Sequence, residues 1–147
     1  MNDNERQHIE LACQRLSKLY ARMVDFKTYE MVDDIFTEDA LLDAGGALQG
    51  RDSIRQGMAR RNPKLRSRHV LTNILVDVVD DRNATGTTCL TLYRHVGDES
   101  LQDKPIELVG PAAVGEYLDR FALTAEGWRI ASRVLAIQFR RSDAFPR

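Results

Sequence analysis

The sequence predicts an α+β domain in which three N-terminal helices pack against a curved antiparallel sheet, and two observations carry that reading. Apolar residues recur at helical spacing as far as Arg61, and from Ser67 onward the spacing changes to strand alternation. The size agrees. At 147 residues and 43% hydrophobic composition, residues 1–147 suit one domain with a sizeable core.

The first helix is read over Glu5 to Asp25, where Ile9, Ala12, Cys13, Leu16, Leu19, Tyr20, Met23 and Val24 recur in steps of three and four. A second, shorter helix starts near Thr28, a good N-cap, and runs through Met31, Val32, Ile35 and Phe36 until Thr37-Glu38-Asp39 ends it. Ala40 to Asp43 reads as a short strand, and Gly45-Gly46 as a turn. The third helix, Arg51 to Arg61, turns Ile54 and Met58 to the core and stops at Pro63. Two hairpins follow. His69–Asp80 and Ala84–Val96 join at Asp80-Asp81-Arg82-Asn83, and Ile106–Thr124 and Trp128–Phe139 join at Ala125-Glu126-Gly127. Between them, Gly97 to Pro105 is a polar loop. The tail, 140–147, reads as a lid over a pocket mouth or a disordered end.

Composition removes several classes of function. Twenty-one basic and 22 acidic residues leave a net charge of -1, so no overall field draws in nucleic acid or an anionic membrane. The basic run Arg60, Arg61, Lys64, Arg66 and Arg68 lacks interleaved aromatics and reads as a solvated face. Cys13 and Cys89 are far apart and show no ligand spacing, as expected for small buried hydrophobes in a reducing, cytoplasmic setting. No GxSxG, GxGxxG, phosphate loop or HExxH is present, and the acidic pairs Asp33-Asp34 and Glu38-Asp39 have no histidine at ligand spacing. Neither a metal nor a cofactor is expected.

Three residues stand out as candidate chemistry. Strict alternation from His69 to Asp80 places His69, Leu71, Asn73 and Leu75 on one face, and Val70, Thr72, Ile74 and Val76 on the other. On such a face His69 is either a packed structural residue or a base with an ordinary pKa of about 6.5. Asp25 closes the first helix, where the macrodipole disfavours a carboxylate, so it must either cap the next helix or meet a partner such as an imidazole. A carboxylate behind a histidine fixes its tautomer and stabilises the imidazolium formed on proton removal. Tyr20 is either a core tyrosine or a hydroxyl donor at the pocket mouth. Asn73, Tyr93 and Tyr117 are candidate ligand contacts. Small Ala113 and Gly115 beside Tyr117 mark either space for a ligand or a bulge.

The order of Tyr20, Asp25, Phe36-Thr37-Glu38-Asp39-Ala40, Gly50-Arg51, Arg68-His69, Asp119-Arg120-Phe121 and Gly127-Trp128-Arg129 resembles the SnoaL-like branch of the nuclear-transport-factor-2-like superfamily, from about Glu5 to Phe139. The resemblance implies a cone-shaped half-barrel around a deep pocket. It also implies the Asp–His dyad with which scytalone dehydratase, the bile-acid dehydratase and the lindane dehydrochlorinase perform eliminations. Asp25 and His69 match that dyad, and Tyr20 matches the tyrosine of the bile-acid enzyme. Elsewhere the chain departs from its relatives. Ala44 stands where scytalone dehydratase has a second tyrosine, Gly115 and Tyr117 replace its late serine and asparagine, and Tyr20 replaces the lysine of the dehydrochlorinase.

The function implied is a cofactor-free lyase or proton-shuttling isomerase acting on a hydrophobic cyclic or polyketide-like molecule, with a ligand-binding protein or an oxygenase β-subunit-like partner as the competing class. An epoxide hydrolase would require a carboxylate–arginine–carboxylate set that the sequence does not assemble. A homo-oligomer is expected, dimer before trimer, through an open sheet face carrying Leu90, Leu92, Val134 and Ala136.

Overall fold

The computed structural model describes residues 1–145, which form three α-helices and a six-stranded sheet. Helix α1 (Asp3–Phe26) begins on a capping box: Asn2 accepts the Glu5 backbone N–H, and the Glu5 carboxylate accepts that of Asn2. It ends at Lys27, whose left-handed backbone (φ 59°) turns the chain away. Its apolar stripe, including Ile9, Cys13, Leu16, Tyr20 and Val24, is buried against the inner face of the sheet.

The second helix is shorter than the sequence suggests. A 3-10 turn at Tyr29–Met31 leads into α2 (Val32–Ile35), and Phe36 already opens β1 (Phe36–Asp43), so Thr37, Glu38 and Asp39 are strand residues. The reason is packing: Phe36 is fully buried, and its place in the apolar series fits the end of a helix as well as the start of a strand. A turn at Gly45 and Gly46, both at positive φ, sends β2 (Ala47–Gln49) back along β1. Helix α3 (Arg51–Ala59) then buries Ile54 and Met58.

The remaining strands are β3 (Leu65–Val78), β4 (Asn83–Val96), β5 (Ala113–Thr124) and β6 (Gly127–Arg140). The sheet runs β2-β1-β6-β5-β4-β3, antiparallel throughout except where β1 lies parallel to β6. It stays open, so β3 is an edge strand. The result is a curved α+β half-barrel with α1 across its inner face.

Two bulges alter what alternation implied. At Asn73 (φ 48°) the β3–β4 register shifts between Thr72 and Leu75. Leu71 faces inward before it, Val76 and Val78 face inward after it, and Leu75 is left 61% exposed. The extra residue reverses the faces. On β5 the register with β6 shifts at Gly115, where an added Cβ would lie 2.3 Å from the Ala136 carbonyl oxygen. The glycine therefore admits the neighbouring backbone and does not leave room for a ligand.

Leu90 is buried and Leu92 packs on the core, so neither belongs to the outer face; Val134 and Ala136 pair with Leu118 and Glu116 and do. Strand β5 starts at Ala113, later than expected, because residues 106–112 form a loop tied down by Arg141, which donates to the carbonyls of Val109, Gly110 and Pro111. The tail continues through buried Ala144 to Phe145; Pro146 and Arg147, the rest of the expected lid or disordered end, lie outside the described residues. No helix among the described residues is long and apolar enough to cross a membrane.

Candidate active site

Helix α1 carries Asp25 to the edge of the sheet. Lys27 Nζ donates to the Pro63 carbonyl (2.9 Å), tying the helix end to the loop that enters β3. Because β3 has a neighbour on one side only, the backbone N–H of His69 is free to point outward, and it donates to Asp25 Oδ2 at 2.8 Å. The Ser67 hydroxyl donates to Oδ1 at 2.9 Å, and His69 Nδ1 lies 2.5 Å from the same oxygen. Asp25 thus meets an imidazole rather than capping the following turn, whose N-cap is Thr28; the Thr28 hydroxyl donates to Met31 Sδ and makes no capping bond.

The two side chains are enclosed, at 6% and 7% exposure. Burial pushes the Asp25 pKa up, but the ring, the amide and the hydroxyl outweigh it and hold the carboxyl below the usual range. With Asp25 ionised, the ring carries its proton on Nδ1, and the lone pair sits on Nε2. Among the described residues Nε2 has no hydrogen-bond partner, and it is not among the fully buried unpaired atoms.

Deeper in the cone lies a cluster that the sequence reading missed. Arg133 is fully buried and grips Asp119 with two bonds of 2.8 Å, Nε to Oδ1 and Nη2 to Oδ2. Nη2 also donates to the Ser17 hydroxyl at 2.7 Å. The guanidinium lies between the faces of Tyr20 and Tyr117, 4.6 and 4.2 Å from the ring centroids. Its Nη1 is buried and has no partner among the described residues. Burial raises the pKa of both tyrosine hydroxyls, with the Arg133 charge pulling the other way. One signal was available: Asp119 falls on the same alternating row as Tyr117 and Phe121, and a carboxylate on an inward row requires a cation. Arg133 itself was hidden by an irregular β5–β6 register between Arg120 and Phe121.

Of the candidate ligand contacts, Tyr117 is in this interior, edge-on to Tyr20 at 5.5 Å. Asn73 is exposed at the bulge, which removes the shared face that linked it to His69. Tyr93 pairs with Arg68 across the ladder, one position out of step with the His69–Leu92 pair, so it lies on the opposite face from the imidazole. It borders an open groove of about 210 Å³ whose wall includes Ser67, Arg94, Leu108 and Arg141. Ser67 joins that groove to the dyad. A second depression, about 410 Å³, surrounds Arg51 and Asp33 on the outside of α3.

A model of the SnoaL-like domain matches residues 5–134. The chain belongs to the SnoaL-like family. This SnoaL-like chain has no match among curated proteins. A Mycobacterium tuberculosis protein of unknown function is 28% identical, with 98% of this chain and 80% of that one covered, at TM-score 0.75. The hexachlorocyclohexane dehydrochlorinase LinA-type3 from Novosphingobium barchaimii LL02 is 14% identical over 95% and 93% of the chains, with TM-score 0.79. A candidate scytalone dehydratase from Novosphingobium aromaticivorans DSM 12444 is 18% identical over 94% and 89%, with TM-score 0.77. The last two likenesses establish the fold.

Proposed function

We propose that this SnoaL-like protein is a cofactor-free lyase that eliminates water from a cyclic or polyketide-like small molecule, with His69 as base and Asp25 as its orienting partner. The observation that carries the reading is the 2.5 Å contact between His69 Nδ1 and Asp25, which leaves Nε2 with its lone pair and no protein partner among the described residues. Nε2 removes a proton from a carbon acidified by a neighbouring carbonyl. The released electron pair forms the carbon–carbon double bond as the bond to the β-hydroxyl breaks. The departing hydroxide takes up the proton from the imidazolium and leaves as water, restoring the neutral ring.

Tyr20 and the unpartnered Nη1 of Arg133 supply donors for the substrate carbonyl, where negative charge develops. Returning the proton to a different carbon instead of expelling hydroxide would make the same residues an isomerase. A binding-only role is the second reading, favoured by the closeness of the interior, where Tyr20 is 2% and Tyr117 1% exposed. The oligomer proposed alongside uses the outer face at Leu118, Val134 and Ala136, and L118E should convert it to monomer in analytical ultracentrifugation.

The test is turnover of a panel of β-hydroxy ketones by the wild type and H69A. Loss of about 10³-fold or more in kcat, with the melting temperature retained, supports the base. Full activity in H69A overturns it, and ligand binding without turnover in the wild type selects the binding role.

A further inference from the structure

Ser67 has no part in the steps above, yet its hydroxyl is committed to the dyad. The residue is buried, at 4% exposure, and stands two positions before His69 on β3, so both side chains leave the strand on the face that meets Asp25. The hydroxyl donates to Asp25 Oδ1 at 2.9 Å, and His69 Nδ1 meets that same oxygen at 2.5 Å. Oδ2 takes the His69 amide at 2.8 Å. The oxygen that faces the imidazole is therefore shared, and a carboxylate oxygen that accepts a second donor offers less charge to the first.

Among the described residues no other group hydrogen-bonds to the Asp25 carboxylate or to the Ser67 hydroxyl. The charged or titratable side chains lining the groove that Ser67 borders are Arg66, Arg68, Arg94, His95, Glu107 and Arg141. Arg66 donates to the carbonyls of Glu99, Ser100, Gln102 and Lys104, and Arg141 to Asp143 and the 109–111 carbonyls. Arg68 lies over the ring of Phe26, and Arg94, opposite Ser67 in the ladder, over that of Phe145. His95 pairs with Glu99, and on α1 Lys27 turns to the Pro63 carbonyl. Glu107 is the acid of this set and takes no proton from Ser67, whose hydroxyl stays with Asp25.

We propose that Ser67 is a positioning residue that limits the pull of Asp25 on His69, so that Nε2 stays unprotonated to lower pH than it would without the third donor. The use of Nε2 as a base rests on the lyase reading; the hold of Ser67 on the pair does not. A carboxylate stabilises an imidazolium according to the charge it presents, and a ring already protonated cannot take a proton from substrate. The hydroxyl also fixes which oxygen the ring meets. The terminal torsion of an aspartate is broad, and a donor on each oxygen holds this carboxylate in one plane.

The experiment is a titration of the His69 ring followed by NMR in the isotope-labelled full chain, where H69Q identifies its signals among those of the three histidines. It requires no substrate. S67A should raise the midpoint by about half a pH unit or more relative to the wild type. S67C, which keeps the size of the side chain but donates weakly, should shift it the same way, and S67T, which restores the hydroxyl, should bring it back towards the wild-type value. On a D25N background S67A should leave the midpoint in place, because the charge through which Ser67 acts is gone. Circular dichroism checks the fold of each variant. An unchanged or lowered midpoint in folded S67A or S67C, or an equal shift on the D25N background, overturns the proposal. Failure of the lyase reading shows separately, as a wild type that does not turn over the β-hydroxy ketones while the S67A shift persists.

Discussion

Asp25 stands at the end of α1, where the helix dipole works against a carboxylate, yet its pKa lies below the ordinary range because His69 and Ser67 donate to it. The sign of the linkage follows. The unfolded chain holds the Asp25 proton more tightly, so the stabilisation is complete above the ordinary value of about 3.9 and is lost as pH falls through the lower folded value. D25N should therefore lose part of its dependence on pH in urea unfolding below about pH 4. Removing one donor with S67A should cost about 0.5–1.5 kcal/mol, read from the same unfolding curves. At Arg133 the stakes are larger. R133M leaves Asp119 buried without its cation and should destabilise by about 3–5 kcal/mol, while R133M combined with D119L should recover much of the loss.

At the scale of the element, β3 and β5 are governed by single residues that interrupt alternation. Asn73 adopts a left-handed backbone that asparagine and glycine tolerate and β-branched residues do not. N73G should be nearly neutral and N73V should cost about 1–3 kcal/mol in thermal unfolding. At Gly115, G115A forces a methyl group against the Ala136 carbonyl and should lower the melting temperature more than an alanine elsewhere on β5. Both bulges show where sequence alternation stops being informative. The helical spacing of α1 and the strand period of β4 were legible because one stripe is buried from Ile9 to Val24 and one row from Ala84 to Leu90 without a break in period. Leu75 and Val79 looked like partners of His69 only until one extra residue turned them to solvent.

For the whole molecule, the dyad was legible as two anomalies, a histidine on an apolar row and an aspartate at the wrong end of a helix. Their meeting was not, because 44 residues separate them and the contact depends on where α1 crosses the sheet. The Asp119–Arg133 pair was harder still, since it joins two strands just beyond the irregularity that puts Arg133 out of step with Ile130. Ser67, which links the dyad to the groove beside it, gave no signal at all; a small hydroxyl at the start of a strand is ordinary until its neighbour is known.

The bond from the His69 amide to Asp25 has a consequence apart from chemistry. Strand β3 ends an open sheet, and an uncovered row of edge amides is a template on which another chain can add a strand. By occupying one of those amides with a buried charge, Asp25 interrupts that template in the first half of the strand. A D25A protein would thus be exposed to fibrillar self-addition, and seeded thioflavin assays on D25A and H69A would separate loss of the guard from loss of the imidazole, since H69A keeps the guarded amide.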